Sequence, residues 1–325
     1  MQLRRSPKPP KSPTAADPSC RRSQTPVKDP PHGHDPTVKV YVKVKMNSPY
    51  LLCMDEDTAN TELIDPYYLW IGPNERNLKG QINTDITETG KLMLKPFRKI
   101  MSGTYSCTLS YRTINNHFEE ELTLKLFTFL VLGYREPDYS YQINVRYATL
   151  ACHQLANSQF FEGLLSTVRG LIDGLTCKLT NFYHSCHAIK EPEEKLQNEL
   201  FLSFRVDPFG KGWEEICSEV MYDCEDETNA RVQKARDLIE KFFIRQPNVL
   251  KNEFADPTKI YYIEHSIEIT RIDNCRSGFG KNEITHNDCA NCCVVCDPNT
   301  YNSMNNAHCQ VCNDIQIPYY GATTC

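Results

Sequence analysis

From Thr37 onward the chain alternates apolar and polar positions in short runs. VKVYVKV (38–44) does so with period two, so an extended segment there turns one face to a core and the other to water. Similar runs follow at SPYLLCM (48–54), YYLWIG (67–72), INTDITETGKLMLKPF (82–97), GTYSCTLSYRT (103–113) and LTLKLFTFLVLG (122–133). The run at 82–97 divides into two strands about a turn at Thr89-Gly90. Roughly seven short strands separated by turn residues predict a β-sandwich over residues 37–133.

The pattern then changes. In the middle region, 134–274, YSYQINVRY (139–147) and NELFLSFRV (198–206) read as strands, and KIYYIEHSIEITRI (259–272) as one long β run. Between them lie two segments of helical period. The first, 158–175, sets Phe160, Phe161, Leu164, Leu165, Val168, Leu171, Ile172 and Leu175 on one face. The second, 230–243, turns Val232, Ala235, Leu238, Ile239, Phe242 and Phe243 inward. The β–α–β–α–β order predicts a small α+β domain. The fold class expected for the whole is therefore mainly β with α+β: an N-terminal immunoglobulin-like β-sandwich, a small α+β middle region and a C-terminal disulfide-rich module over 275–325.

The sandwich assignment is sharpened by four residues. In immunoglobulin-like domains a disulfide joins the two sheets, a tryptophan packs on it, and a tyrosine two positions before the second cysteine bonds back to the backbone. Cys53, Trp70, Cys107 and Tyr105 fit these roles. The last 51 residues carry Cys275, Cys289, Cys292, Cys293, Cys296, Cys309, Cys312 and Cys325, with few large apolar residues, so cross-links rather than burial are expected to hold them as an EGF-like unit.

Composition adds the compartment. The chain has 325 residues, and its sixteen cysteines suit an oxidising environment, which points to secretion. The formal net charge of −5, with basic residues scattered, does not suggest a nucleic-acid partner. No run of 18 apolar residues is present to span a membrane. Residues 1–36 hold nine prolines and seven lysines or arginines, which predicts a disordered basic arm. This start lacks the apolar core of a signal peptide, and an atypical start replacing the leader is the expectation.

Candidate chemistry is sparse. The sandwich uses two cysteines and the tail eight. The middle has five (Cys152, Cys177, Cys186, Cys217 and Cys224), so one pairs with Cys20, bridges elsewhere or stays free. Cys293-x2-Cys296 and Cys309-x2-Cys312 have zinc-ribbon spacing, but so many cysteines with an adjacent pair favour disulfides. His184, Cys186 and His187, placed near a helix end, are assigned no role. No catalytic, cofactor or metal set is expected, since no nucleophile elbow, P-loop, dinucleotide fingerprint or HExxH occurs. The chain reads as a binding protein and not an enzyme.

NTELIDPYYLWIGPNE (60–75), ITETGKLM (86–93), MSGTYSCTLSYRT (101–113), YREPDYSYQ (134–142), LQNELF (196–201) and CANCCVVCDPNTYN (289–302) resemble the zona pellucida-binding protein family, over about residues 38–325. That resemblance implies a protein of the sperm acrosome with an immunoglobulin-like domain followed by a cysteine-rich part. Its partners would be the egg coat's zona pellucida glycoproteins, with proacrosin as a companion in acrosome assembly. It implies no cofactor and no catalytic set, and carries over Cys53 and Cys107 as the sandwich disulfide. Lys234 and Arg236, opposite the apolar stripe of the second helix, are candidate contacts for an acidic or sulfated partner, against the commoner reading of a solvated helix face. The competing reading is a structural protein of the acrosomal matrix that scaffolds proacrosin without adhesion.

Overall fold

The computed structural model describes residues 37–325 apart from 115–119, 150, 191–195, 219–223, 254–259, 304–305 and 314. The arm expected over residues 1–36, with Cys20, lies outside the described residues. The first unit runs β1 (Val38–Lys43), α1 (Glu56–Ala59), β2 (Ile64–Ile71), β3 (Thr84–Ile86), β4 (Leu92–Leu94), β5 (Gly103–Ile114) and β6 (Glu120–Arg135). Its main sheet has β2 antiparallel to β5 and β5 antiparallel to β6, and β1 runs parallel to β6 with Val38 opposite Phe129. β3 and β4 form a separate hairpin about Gly90, whose φ of 74° suits glycine.

The strand period decides what is buried. Tyr105, Cys107, Leu109 and Tyr111 of β5 alternate inward and meet Phe127, Phe129 and Val131 of β6, Trp70 of β2, and Leu51, Leu92, Leu94 and Phe97. Cys53 and Cys107 are joined, with Cα atoms 5.8 Å apart. Trp70 stands opposite Cys107 in the ladder and its Nε1 donates to the Gly90 carbonyl at 2.9 Å. The Tyr105 hydroxyl donates to the Met101 carbonyl at 2.7 Å. The strand expected at 48–54 is reduced to an isolated bridge of Leu51 with Leu92. Pro49 lacks a donor for a ladder, and Asp55 immediately afterwards caps α1 by accepting from the Thr58 amide.

The middle unit runs β7 (Asp138–Thr149), α2 (Gln154–Ile172), β8 (Lys178–Lys190), β9 (Leu196–Asp207), α3 (Trp213–Ser218), α4 (Glu225–Glu253), β10 (Ile260–Tyr262) and β11 (Glu268–Asn274). The sheet order is β8–β9–β7, with β10 and β11 both antiparallel to β7. One sheet face carries Ile143, Val145, Leu202 and Phe204, packed against Phe161, Leu165 and Val168 of α2 and Val232, Ile239 and Phe243 of α4. Leu171, expected inward, is exposed.

The middle region departs from its sequence pattern in two places. The long run at 259–272 is two strands, because the chain turns at His265, whose φ is 60°, and the Ser266 amide bonds to the Ile263 carbonyl. β8 was not anticipated, and it places His184, Cys186 and His187 within a strand rather than near a helix end. It pairs on one side only with β9, and a bulge between Thr180 and Tyr183 breaks its period, so its polar composition hides it.

The C-terminal module contributes β12 (Phe279–Gly280), β13 (Cys293–Val295), β14 (Thr300–Tyr301) and β15 (Gln310–Val311). It is not held by cross-links alone. β13 pairs with the end of β6, and Phe279, Val294 and Val295 share a buried cluster with Val44 and Leu132 of the first unit. Its bridges are Cys275–Cys293, Cys289–Cys292, Cys296–Cys309 and Cys312–Cys325. On the chain-entropy scale, closing the loop between Cys53 and Cys107 stabilises by about 4 kcal/mol, and closing Cys289 to Cys292 by only about 2.

Replacing Cys53→Ala together with Cys107→Ala is expected to lower the unfolding free energy by about 4 kcal/mol in denaturant titrations. Tyr105→Phe is expected to cost about 1 kcal/mol, the net worth of one buried hydrogen bond.

Candidate binding surface

The main sheet of the first unit buries one face and leaves the other to solvent. Residues opposite each other in an antiparallel ladder share a face. Tyr67, Ser110 and Leu124 therefore form one outward row, and Leu69, Thr108 and Leu126 the next. Leu122, Leu124 and Leu126 of β6 are 65–67% exposed and Tyr67 is 53% exposed. Leucine in three successive outward positions builds no core, and a contiguous apolar patch of this kind marks an interaction site more often than chance exposure does. The same stretch of β6 has a second unusual property. β5 pairs with it on one side, whereas β1 reaches only from Phe129 onward on the other. Among the described residues no strand pairs with that second side of 120–128, so an apolar face and an open backbone edge coincide.

Beside this face a cleft of about 510 Å³ runs between β2 and the β3–β4 hairpin. Pro66, Tyr67 and Tyr68 give it an apolar wall, and Lys79, Asp85 and Glu88 a charged one. Tyr67 belongs to both cleft and face. The Asp85 carboxylate is engaged by Lys95 at 2.9 Å. A methyl at Gly90 would stand 2.1 Å from the Tyr68 ring, so glycine there lets the ring line the cleft.

The leucine-bearing strand is anchored from below. Lys125, between Leu124 and Leu126, turns inward, and its Nζ donates to both Asp55 oxygens at 2.9 and 3.1 Å and to the Thr58 hydroxyl at 2.9 Å. Burial alone would push the Asp55 carboxyl up, but the hydrogen bonds from Lys125 and Thr58 outweigh it and hold the group well below the usual carboxylate range.

The C-terminal module docks onto the opposite end of this unit. The Lys39 Nζ donates to the Thr285 carbonyl at 2.7 Å, and the Tyr41 hydroxyl meets His286 Nδ1 at 3.1 Å, with their rings edge to face. His286 is almost wholly buried, and burial pushes its pKa below 6.5 although Asp297, 3.7 Å away, pulls the other way. Asp288 and Asp297 also face Tyr41. On the side of the middle unit, Arg276 grips the buried Asp138 at the start of β7 through two hydrogen bonds of 2.7 and 3.0 Å.

The structure disperses the other residues singled out in the sequence. Lys234 is exposed on α4, while Arg236 is bound to Asp237 at 2.6 Å and Glu240 at 3.3 Å on its own helix. The middle cysteines pair as Cys152–Cys186 and Cys217–Cys224, leaving Cys177 as the free thiol among the described residues. Burial pushes its pKa up to about 11. The members of each CxxC pair with zinc-ribbon spacing enter different disulfides. The leucine face went unnoticed in the sequence because LTLKLFTFLVLG is apolar at nearly every position, so its period does not say which leucines face out.

Residues 37–135 match the family model described as "Zona-pellucida-binding protein (Sp38) N-terminal Ig domain", and residues 275–325 match the "Zona-pellucida-binding protein (Sp38) C-terminal EGF-like domain". The chain is 47% identical to zona pellucida-binding protein 2 of Mus musculus over 89% of its own length and 88% of that protein. It is 44% identical to zona pellucida-binding protein 2 of Gallus gallus, covering 88% and 82% of the two chains. Identity to zona pellucida-binding protein 1 of Gallus gallus is 36%, over 89% and 87%.

Lys125→Met strands a buried carboxylate and is expected to cost about 2 kcal/mol. The Asp55 contribution, present above the ordinary carboxylate pKa, is lost as pH falls through the depressed folded value. Acid titration of the wild type against Lys125→Met should show that loss in the wild type only. His286 has the opposite chemistry and the same direction. Its folded pKa is depressed, so the unfolded chain binds the proton first, and stability falls as pH drops through the ordinary histidine value towards the folded one. Thermal unfolding at pH 7 and pH 5 should show a lower midpoint at pH 5, and the difference should shrink in His286→Phe.

Proposed function

The chain belongs to the zona pellucida-binding protein family, and on that premise we propose that it is a secreted recognition protein of the sperm acrosome that binds glycoproteins of the egg's coat through the outer face of its immunoglobulin-like sheet. The observation that supports this most is the row Leu122, Leu124 and Leu126, two-thirds exposed on a face that no core requires. A ligand covering it removes apolar surface from water, and the open edge of β6 offers backbone groups to an extended segment. The charged wall of the neighbouring cleft suits the polar part of such a ligand. The seven disulfides among the described residues fit an oxidising compartment, and no described helix is long and apolar enough to cross a membrane.

The family relationship also supports a part in acrosome assembly, in company with proacrosin. A matrix role without adhesion finds less support, because cross-linking through an odd cysteine needs an accessible thiolate. Cys177 is half-buried, and burial pushes its thiol up to about 11, which leaves little thiolate at neutral pH.

Leu124→Asp, on an exposed position, is expected to leave circular dichroism and the unfolding midpoint unchanged. Surface plasmon resonance should show binding to solubilised egg-coat glycoproteins weakened at least about 30-fold, as for a central interface residue. Unchanged binding would remove the face from the reading, while absence of binding by the wild type would remove the reading itself. Lys234→Glu with Arg236→Glu tests α4 as the alternative contact.

A further inference from the structure

Four bridges hold the C-terminal module, and one of them differs from the rest. Cys289 and Cys292 are separated by three positions, against 13 to 18 for the other three. A ring this small removes little entropy from the unfolded chain, so the module depends on it least. Both of its cysteines are half-buried, whereas each of the other three bridges has a buried member (Cys275 with Cys293, Cys296, and Cys312), although Cys325 is itself exposed. The turn around them is held by backbone hydrogen bonds that do not need the bridge. The Cys289 amide donates to the His286 carbonyl and the Cys292 amide to the Cys289 carbonyl, both at 2.9 Å. Opening the bridge therefore leaves two thiols poised on an ordered turn.

We propose that Cys289–Cys292 is a thiol-exchange site, opened and closed in the folded protein by an external thiol of the glutathione class. The external thiolate attacks one half-exposed sulfur. The Cys289–Cys292 bond breaks, a mixed disulfide forms, and the other cysteine leaves as a thiolate and takes up a proton. A second external thiolate attacks the external sulfur of the mixed disulfide, and the second cysteine leaves as a thiolate that takes up a proton. That forms the external disulfide, so two electrons pass from two external thiols to the pair. The reverse sequence closes it. The Cys-x-x-Cys arrangement favours this chemistry, because the released thiolate stays beside the mixed disulfide and can close the ring again. Cys177 is no internal source of the attacking thiolate, since its high pKa leaves almost none at neutral pH.

Position makes exchange consequential. The site follows directly on Thr285 and His286, which dock the module on Lys39 and Tyr41 of β1. Cys293, the next residue, is paired to Arg135 of β6 and bridged to buried Cys275, which ties the far side of the site to the sheet.

The test uses the full chain in native buffer with graded glutathione. It is quenched with a maleimide at timed intervals and mapped by peptide mass spectrometry, with Cys177 scored separately. Cys289 and Cys292 should be labelled at least tenfold faster than Cys312 and Cys325 or any other bridged pair. A glutathione adduct should be caught on one of the two, with circular dichroism unchanged. Labelling that begins at another pair, or at all together with loss of structure, overturns the proposal. The variant Cys289→Ser with Cys292→Ser should fold and lose only the fast phase. A variant that keeps the fast phase, or that cannot be recovered folded, overturns it as well.

Discussion

β6 is the constraint on which the rest of the structure depends. It has sixteen residues, and its backbone is shared among three strands. β5 takes one side as far as Val131, and β13 takes that side again at Tyr134 and Arg135. β1 takes the other side from Phe129 to Tyr134. Tyr134 is thus paired on both sides, with Lys43 and with Val294. A short turn then carries the chain directly into β7, the central strand of the middle sheet. The sandwich, the C-terminal module and the α+β unit are three packing problems tied to one strand. An error in its register would turn its buried and exposed residues over together.

This sharing explains how a cysteine-rich tail with few large apolar residues gains a core. A 51-residue segment alone buries too little surface to offset its ordering entropy, and disulfides usually supply the difference. Here Phe279, Val294 and Val295 lie against Val44 and Leu132 of another unit. Asn302 adds polar support from within. Its side-chain amide donates to the Phe279 and Asn306 carbonyls at 2.7 and 2.8 Å. The module is docked by a ladder, a shared cluster and the Arg276–Asp138 pair, so its bridges need not all be structural.

What was legible in the sequence divides along physical lines. The sandwich strands, the bridge between Cys53 and Cys107, and the tyrosine corner rest on local period and fixed spacing, which a single chain carries openly. The inward faces of α2 and α4 were readable for the same reason. β8 was not, because an edge strand solvated on one face carries polar residues, and its bulge at Asn181 breaks the alternation. The division at His265 was hidden, since a left-handed histidine leaves no mark in composition. The docking of the tail on β6 was invisible in principle. Val294 and Tyr134 are 160 positions apart, and nothing local announces their pairing.

The leucine face belongs to this last class, and its energetics say why it matters. Folding gains nothing from Leu122, Leu124 and Leu126 on the outward side, and an exposed apolar strand with an open edge is an aggregation hazard that proteins usually blunt with charge. β6 does carry charge there, but Lys125 turns inward to Asp55 rather than guarding the edge. Arg112 and Glu120 form an ion pair at the far end of the strand and neutralise each other. Arg112 also pairs with Asp65, and Glu121 is exposed beside them, yet from Leu122 to Leu126 the edge keeps its apolar row and, among the described residues, its unpaired backbone. At roughly 25 cal/mol per Å² of apolar surface removed from water, covering three such side chains contributes a few kcal/mol before any polar contact forms. That is enough for such a face to form the centre of an interface once a partner covers it.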